Sequence, residues 1–514
     1  MSDELDQRFI EDLGLEEQSV VRLDKLRRMQ AEGNDPYPAR VARTHTAAEA
    51  LALWNELSIA GLDEHGAPVG DNPILTLGGR VVLWRMMGKA AFATIEDGSG
   101  RIQLYFKRDV LGAENYERLC RDLDLGDFLS ATGNLFLTRS GEITLRVTAC
   151  AIISKSLHPL PDKWHGLSDT EKRYRQRHVD LLANPESRQV ARTRSRMVTL
   201  MRRFLDQRGY LEVETPILQP IYGGATARPF TTYYQALDQT FYLRIADELY
   251  LKRLLVGGFE RVYEFAHDFR NEGADATHAP EFTMLELYEA YANYETMMVL
   301  FEEMCVGLAL ELCGSLQFEY DGNLLDFTPP WRRVDMRDAL IEHAGIDFNE
   351  YPDTEAGRRA LYEAARKAGI HVEPEMRWAK LLDEVLGATV EPGFISPTFL
   401  VGHPVLLSPL AKRRPDDPQR TERFEAYMGG FEMANAFSEL NDPTDQYARF
   451  VAAGRDAAAG DEEAHRMDVD FLTALAYGMP PTGGMGIGID RLAMIFTGQT
   501  NIRDVILFPQ LRSK

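Results

Sequence analysis

Residues 73–155 carry apolar side chains in short runs that alternate with polar ones, as at Leu75 and Leu77. A period of two residues is typical of strands with one buried face. A helical stretch, Glu114 to Leu123, interrupts the runs. The pattern predicts five strands with a helix after the third, which fits the small barrel called an OB-fold. Turns are predicted at Gly78-Gly79, Asp97–Gly100 and Ser140-Gly141.

Helical spacing dominates before the barrel, over residues 14–65. Val20–Met29 has apolar positions three or so apart with cations between them. The cations favour either an RNA-facing helix or an ordinary amphipathic surface helix, and both interpretations stay open. Thr46 and Glu49 form a plausible capping box for a later helix. We therefore divide this part into a helical extension (1–70), the OB-fold (71–155) and a linker (156–186).

The linker contains two distinctive segments. Leu160–Gly166 is rich in turn-forming residues, and Glu171–His178 is a dense run of basic and aromatic residues. Such a run is usually a solvated helix face, although contact with RNA or a second subunit is the alternative.

Residues 187–514 mix helical and strand periods and predict an α+β domain with an antiparallel sheet flanked by helices. An Arg-rich helix from Ser187 to Gly209 leads into a strand, Tyr210–Leu218, that contains Pro216. Residues of about 333–390 have helical periodicity and predict an insertion, after which strands resume at Thr398. Gly223–Phe230 is a flexible loop and a plausible lid.

Two stretches of this domain suggest chemistry. The first runs from Phe269-Arg270-Asn271-Glu272 through a polar loop to Glu281–Glu286. It predicts two antiparallel strands with a fixed cation at the base, and a guanidinium can hold a phosphate with a planar fork. The alternative is an internal ion pair of Arg270 with Glu272 or Glu264.

The second stretch is Gly483–Leu492, in which glycines alternate with apolar residues before Asp490 and Arg491. Alternating glycines leave one strand face bare, so a flat ring can lie against the backbone. Arg491 then opens an apolar helix and can lie over an adenine ring or a terminal phosphate. A Gly-rich turn with a capping Arg is the alternative.

Composition limits the class of protein. The chain has 514 residues, 45% of them hydrophobic, and a formal net charge of −22, which argues against RNA binding by bulk charge. We find no apolar run near the roughly 20 residues that a bilayer crossing needs. The acidic N-terminus has no signal-peptide pattern. Four cysteines without metal-ligand spacing favour reduced thiols and a cytoplasmic location.

Together the two stretches resemble motifs 2 and 3 of the class II aminoacyl-tRNA synthetases, and the segment Ser187–Leu218 resembles motif 1, the dimer element. From about residue 20 to the end, the chain is most similar to the bacterial-type lysyl-tRNA synthetases. The resemblance implies ATP-dependent activation of L-lysine to lysyl-adenylate and transfer to the 3′ end of tRNA(Lys). It also implies Mg²⁺ and a homodimer.

The same resemblance assigns candidate site residues. Arg270 would hold the α-phosphate of ATP and Arg491 the far phosphate, and these two are the expected catalytic residues. The adenine and phosphate side would include Glu272, His278, Phe282 and Glu432. Glu425 and Glu432 would hold Mg²⁺, the alternative being two exposed strand acids. Lysine would be bound by Glu248, Glu286, Tyr288, Asn435 and Glu439, where Glu248 holds the α-amino group and the others surround the side-chain ammonium.

Glu248 also fits a simpler interpretation, as an acid in the first turn of a helix. In the barrel, the resemblance implies that Phe92 stacks on the anticodon and that Gln103 reads its central uridine, with Arg80 on the same face. The alternative is that Phe92 belongs to the barrel core.

The chain departs from the family pattern at several positions. Thr277 replaces an Arg before His278, Phe431 replaces an Arg before Glu432, Ala266-His267-Asp268 replaces a more basic run, and Asp247 stands where Pro is frequent. Two other functions are therefore retained as alternatives. One is a paralogue that passes lysine or an analogue to a protein, and the other is a non-catalytic RNA-binding paralogue.

Overall fold

The computed structural model describes residues 3–161, 167–458 and 466–512. The chain forms two compact units, Met1–Gly166 and Leu167–Lys514. The turn-rich part of the predicted linker at residues 162–166 lies outside the described residues.

The first unit contains a closed barrel with strand order β1-β2-β3-β5-β4, which confirms the predicted OB-fold. Alternate residues such as Ala91 and Ala93 are fully buried inside it. Its strands are β1 (Leu75–Met87), β2 (Ala90–Glu96), β3 (Arg101–Lys107), β4 (Phe128–Leu137) and β5 (Ile143–Ser154). Its helices are α1 (Asp3–Leu13), α2 (Glu17–Ala31), α3 (Ala47–Leu57), α4 (Arg108–Leu111) and α5 (Ala113–Asp122). Helix α3 begins with the predicted capping box of Thr46 and Glu49.

The predicted turn at Gly78-Gly79 is wrong, because both glycines lie within β1. A Cβ atom at Gly79 would lie 2.9 Å from the carbonyl oxygen of Glu96 on β2. The glycine therefore allows the two strand backbones to approach closely. The sequence alone does not distinguish a glycine with this role from a glycine in a turn.

The cations of α2 bind groups within the first unit. Lys25 donates to Asp124 at 2.8 Å, and Arg28 donates to Asp122 at 2.5 Å. Arg22 donates to the carbonyl of Leu125 at 3.0 Å. These contacts favour the ordinary amphipathic helix over the RNA-facing one.

The second unit is built on a sheet with strand order β14-β15-β16-β17-β18-β11-β10-β6. Its pairs are antiparallel except at the two edges, β14-β15 and β10-β6. The predicted α+β fold class is thereby confirmed. The strands are β6 (Leu211–Glu212), β7 (Leu218–Gln219), β8 (Thr231–Tyr234), β9 (Gln239–Leu243), β10 (Arg261–Phe269), β11 (Glu281–Ala290), β12 (Gln317–Tyr320), β13 (Asn323–Asp326), β14 (Arg332–Asp335), β15 (Thr398–Val401), β16 (Arg423–Met428), β17 (Phe431–Ser438) and β18 (Thr482–Gly488).

Helices cover one face of this sheet with an apolar cluster that includes Leu285, Leu287, Met485 and Ile487. The helices of the unit are α6 (Thr170–Arg175), α7 (Arg177–Ala183), α8 (Pro185–Asp206), α9 (Glu248–Val256), α10 (Tyr294–Cys313), α11 (Met336–Ala344), α12 (Glu355–Lys367), α13 (Trp378–Thr389), α14 (Pro443–Ala458), α15 (Val469–Ala476), α16 (Ile489–Thr497) and α17 (Ile502–Val505). The other face of the sheet carries the site described below, and α9 packs on part of it.

The predicted strand Tyr210–Leu218 is interrupted, because only β6 and β7 form at its ends. The amide of Thr215 donates to the side chain of Glu264 at 3.0 Å instead of to a strand. Pro216 has no amide hydrogen to donate. The backbone therefore leaves the sheet after Val213, whose amide donates to Tyr263.

Helices α11, α12 and α13 carry an apolar cluster of their own between β14 and β15.

The basic run before α8 contains a residue, Arg177, that binds other groups of the same unit. Arg177 is buried, donates to the carbonyls of Leu507 and Arg503, and pairs with Asp180 at 2.7 Å. Arg177 therefore stabilises the fold, and this part of the basic run is not a solvated helix face.

Candidate active site

One row of side chains crosses the open face of the sheet. The strand registers align Glu264 with Glu286, Glu286 with Gly486, Gly486 with Asn435, and Asn435 with Glu425. Because paired residues on neighbouring strands point to the same face, the acids lie on both sides of a bare glycine position. With strands about 4.8 Å apart, Glu286 and Glu425 are separated by about 14 Å along this row.

The alternating glycines of β18 explain the bare position. Gly484, Gly486 and Gly488 face the site, whereas Met485 and Ile487 between them are buried in the core. An added Cβ atom at Gly484 would overlap Glu439 Oε1 and the ring of Tyr288. The glycines therefore leave room for the polar side chains and for a ligand above the sheet.

Arg270 follows directly after β10, at the edge of this face. Its guanidinium carbon lies 5.0 Å from the ring centre of Phe282, and its buried Nε has no hydrogen-bond partner among the described residues. The Glu264 carboxylate is bound by Arg244 at 2.7 Å, and Glu272 is exposed. The ion-pair alternative for Arg270 therefore has no support from these contacts.

Arg491 in α16 lies near the polar loop between β10 and β11. Its Nη2 is 2.9 Å from Nε2 of His278, and its Nη1 donates to the carbonyl of Glu432 at 2.9 Å. The neighbouring Asp490 accepts from the amide of Thr283 at 2.7 Å. These contacts bring together the two stretches that the sequence singled out.

Two of the predicted lysine-binding residues, Glu248 and Glu439, meet around a buried ammonium group. Lys252 on α9 is fully buried and contacts the carboxylates of both Glu248 and Glu439. The Tyr288 hydroxyl donates to Glu286 at 2.9 Å. Although burial opposes the charged ammonium, Glu248 and Glu439 raise the pKa of Lys252. Burial raises the pKa of Glu439 well above its usual range.

Asn435 and Glu425 belong to a network at the other end of the row. Arg423 donates to Asn435 Oδ1 at 3.0 Å and to Glu425 Oε1 at 2.5 Å. His403 lies 3.2 Å from Glu425 Oε2, and Tyr427 donates to that oxygen at 2.7 Å. Although burial favours the neutral acid, His403 and Arg423 hold the pKa of Glu425 below its usual range.

Glu432 lies close to this network and is partly exposed. Partial burial and the charge of Glu425 raise its pKa to about 7. Two carboxylates that repel each other in this way suit a hard divalent cation, which would remove the repulsion. Because Glu425 is buried, the pair does not match the alternative of two exposed strand acids.

Sequence reasoning missed several polar groups of the site. Lys252 follows Glu248 by four residues on α9, a helical ion-pair spacing that was visible in the sequence. His403, Arg423 and Arg244 gave no comparable local signal. They reach the site only because distant segments of the chain fold against it.

The candidate anticodon residues lie on the outer face of the barrel. Phe92 is half-buried between the core residues Ala91 and Ala93, so the core alternative does not hold. Its ring centre is 4.9 Å from that of Tyr105. Gln103 accepts a hydrogen bond from Thr144 at 2.9 Å. Arg80 donates to the carbonyl of Gly126 at 2.8 Å and lies 4.3 Å over the ring of Phe128.

Comparisons with known proteins agree with this fold. The pattern of the tRNA synthetases class II (D, K and N) matches residues 169–512, and that of the OB-fold nucleic acid binding domain matches residues 75–153. The fold and the site thus define a class II tRNA synthetase. The chain belongs to the D, K and N family of these enzymes.

Its relatives cover nearly the whole chain. A lysine–tRNA ligase of Roseiflexus castenholzii is 54% identical over 501 residues, which are 97% of this chain and 99% of the relative. The lysine–tRNA ligase of Chloroflexus aurantiacus is 52% identical over 494 residues, 96% of this chain and 98% of the relative. That of Pelotomaculum thermopropionicum is 50% identical over 500 residues, 97% of this chain and 96% of the relative. In the described part of the chain, no helix has the length and apolar character that crossing a membrane requires.

Proposed function

We propose that this protein is a lysine–tRNA ligase. The carboxylate of L-lysine attacks the α-phosphorus of ATP, which forms lysyl-adenylate and releases pyrophosphate. A hydroxyl group at the 3′ end of tRNA(Lys) then attacks the activated carbonyl, which forms the lysyl ester and releases AMP. The protein forms no covalent bond itself and acts by positioning the reactants and neutralising charge.

Arg270 and Arg491 supply that charge in the first step. Arg270 has an unpartnered Nε beside Phe282, so its guanidinium can bind the α-phosphate while the ring packs against adenine. Arg491 binds the far phosphate next to His278, with which it is already in contact. Exposed Glu272 completes the adenine side.

Glu425 and Glu432 would hold Mg²⁺ on the phosphate side of the site. The raised pKa of Glu432 and its repulsion from Glu425 support this assignment. When bound, Mg²⁺ neutralises phosphate oxygens of ATP. Arg423, Tyr427 and His403 fix the orientation of the Glu425 carboxylate through the contacts given above.

The pocket beside Gly484 and Gly486 would receive lysine. Glu248 holds the α-amino group, and Glu286, Tyr288, Asn435 and Glu439 surround the side-chain ammonium. The carboxylates of this pocket favour a cationic side chain over a neutral or acidic one. Lys252 keeps Glu248 and Glu439 in place through its two contacts.

The barrel would bind the anticodon of tRNA(Lys), with Phe92 stacking on a base and Gln103 and Arg80 nearby.

We further propose that the protein is a homodimer. Large apolar side chains are exposed along β6 to β9 and their connections, namely Leu211, Ile217, Leu218, Ile221, Tyr233 and Tyr234, and a second copy would bury them. Four free thiols are consistent with a cytoplasmic enzyme.

The row from Glu286 across Gly486 to Glu425 is the observation that carries this proposal, since it combines buried carboxylates with a bare glycine floor. The test is ATP–pyrophosphate exchange with each amino acid, followed by charging of purified tRNA(Lys). Lysine-dependent exchange and lysine transfer to tRNA are expected. Exchange without transfer to tRNA would favour a protein acceptor, and the absence of both activities would favour a non-catalytic RNA-binding protein.

A further inference from the structure

An arginine of α8 contacts the first turn of α16, directly beside Arg491. Arg194 Nη2 donates to Asp490 Oδ1 at 2.6 Å and to the hydroxyl oxygen of Thr283 at 3.0 Å. The other carboxylate oxygen of Asp490 accepts from the amide of Thr283 at 2.7 Å. Because Thr283 lies on β11, the elements α8, α16 and β11 meet at a single carboxylate.

The Asp490 carboxylate lies where the ladder between β11 and β18 ends. Met284 pairs with Gly488, the last residue of β18, and α16 begins at the next residue. Gly488 is the N-cap residue of α16 and has no side chain that could accept from a helix amide. Asp490 instead connects the first turn of the helix to Thr283 on the neighbouring strand. The position of this turn therefore depends on the Asp490 carboxylate.

The carboxylate in turn depends on Arg194. The Asp490 side chain is 3% exposed, and the Arg194 side chain, its ion-pair partner, is 27% exposed. A buried carboxylate that loses its cation is left with an uncompensated charge, which is strongly unfavourable. Removal of Arg194 should therefore displace the first turn of α16 toward water, and Arg491 is part of that turn.

The adenine side of the site is held by different bonds. Phe282 and Thr283 both pair with β10 along a continuous antiparallel ladder. That ladder consists of backbone bonds between β10 and β11, and neither α8 nor α16 takes part in it. Loss of Arg194 should therefore move Arg491 while Phe282 stays in place.

We propose that Arg194 is a positioning residue for ATP, which acts through Asp490 to hold Arg491 in reach of the far phosphate. This role rests on the proposed function, in which Arg491 binds that phosphate. A guanidinium must lie within about 3 Å of a phosphate oxygen to donate a hydrogen bond, so a shift of about 1 Å in the first turn of α16 is enough to weaken the contact.

Equilibrium binding of ATP and of AMP to the full-length protein, with Mg²⁺ and without lysine, tests this role. Arg491→Ala should weaken ATP binding by about 10–100-fold, the usual cost of a hydrogen bond to a charged group. Arg194→Ala should weaken it by roughly tenfold, and the double variant should bind ATP no more weakly than Arg491→Ala alone. The affinity for AMP should change by less than about twofold in all three proteins, because AMP lacks the far phosphate.

Two further variants separate this role from a general loss of structure. Arg196→Ala removes another arginine–carboxylate pair of α8, the contact with Glu311 at 3.0 Å, and should bind both nucleotides as the wild type does. Asp490→Asn breaks the pair with Arg194 but keeps an oxygen for the Thr283 amide. It should reproduce the loss of ATP affinity, and it replaces Arg194→Ala in the test if loss of AMP binding shows that the latter does not fold.

The proposal is overturned if Arg194→Ala or Asp490→Asn binds ATP as tightly as the wild type, or if the losses of Arg194→Ala and Arg491→Ala add in the double variant. Additive losses would mean that Arg194 acts independently of Arg491. Wild-type ATP affinity in Arg491→Ala would remove the proposed role of Arg491 and the positioning role with it. The expected nucleotide affinities without lysine-dependent exchange would count only against the proposed lysine–tRNA ligase activity.

Discussion

The barrel and the catalytic sheet use the same strand alternation to build two different surfaces. On the barrel, Ala91 and Ala93 face the core while Phe92 stands outward beside Tyr105. On the sheet, Met485 and Ile487 face the core while the outward positions between them are glycines. A surface that stacks on a base needs projecting rings, whereas a pocket needs an empty floor with charged groups around it.

The two regions also differ in how their charges are satisfied. Arg80 in the barrel binds the carbonyl of Gly126, and Arg101 binds Glu96 at 2.5 Å. Arg270 in the catalytic unit keeps a buried Nε without a partner among the described residues. Unsatisfied buried polar groups are costly, so they indicate where a ligand is expected to bind.

Replacing Arg270 should have the largest effect on activity. Arg270→Ala should lower the rate of lysine-dependent ATP–pyrophosphate exchange by about 10²–10³-fold, the usual loss for one donor that stabilises developing charge. Arg270→Lys should restore only part of that rate, because an ammonium lacks the planar fork. Arg101→Ala in the barrel is the matched control and should exchange at the wild-type rate. Full activity of Arg270→Lys would contradict the assigned role.

A methyl group on the glycine floor should have the next largest effect. Gly484→Ala should raise the KM for lysine by roughly 10²-fold, because its Cβ would displace Glu439 and Tyr288. Gly486→Ala is the matched comparison and should cost much less, since its Cβ would lie 3.1 Å from the flexible end of Met284. Steady-state exchange kinetics measure both values. Equal KM values for the two variants would show that lysine does not bind at the Gly484 end.

Removing the outward-facing ring of Phe92 from the barrel should affect only the second reaction. Phe92→Ala should lower kcat/KM for tRNA charging by roughly tenfold, the value of one lost base–aromatic stack. Lysine-dependent exchange should be unchanged, because that reaction needs no tRNA. Phe92→Tyr keeps a ring and should charge tRNA nearly normally. Equal loss of both activities in Phe92→Ala would argue against the separation of functions between the two regions.

The smallest effect on activity is expected when a structural ion pair of the first unit is removed. Burial disfavours the charged carboxylate of Asp122, but bonds from Arg121 and Arg28 outweigh it and lower its pKa. A lowered pKa means that the stability it contributes is present above the unfolded pKa of about 3.9 and is lost as the pH falls below it. Asp122→Asn should therefore destabilise the first unit by about 1–2 kcal/mol at pH 7 and by much less near pH 3.

Thermal and urea unfolding at the two pH values measure this difference, and lysine-dependent exchange at pH 7 should match wild type. A difference in stability that stays constant between pH 7 and pH 3 would contradict the role of the charged carboxylate.

The sequence alone determined the features that follow from local periodicity. The five-strand alternation gave the OB-fold, and the alternating glycines of Gly483–Gly488 gave the bare strand face. The spacing of charged residues around Arg270 and Arg491 also indicated where a nucleotide would bind, since the family resemblance depends on those short stretches. The interruption at Pro216 and the role of Gly79 inside β1 were not predicted, because a strand, a turn and a close backbone approach use similar residues.

Only the tertiary structure decided which charges are paired. Glu264 had Arg270 as a candidate partner in sequence, but Arg244, which comes 20 residues earlier, binds it instead. Lys252 contacts both Glu248 and Glu439, although the latter lies far along the chain. The meeting of Arg194, Asp490 and Thr283 likewise depends on two helices and a strand. Electrostatic energy depends on distance in space and on burial, and neither quantity is encoded in the spacing of residues along the chain.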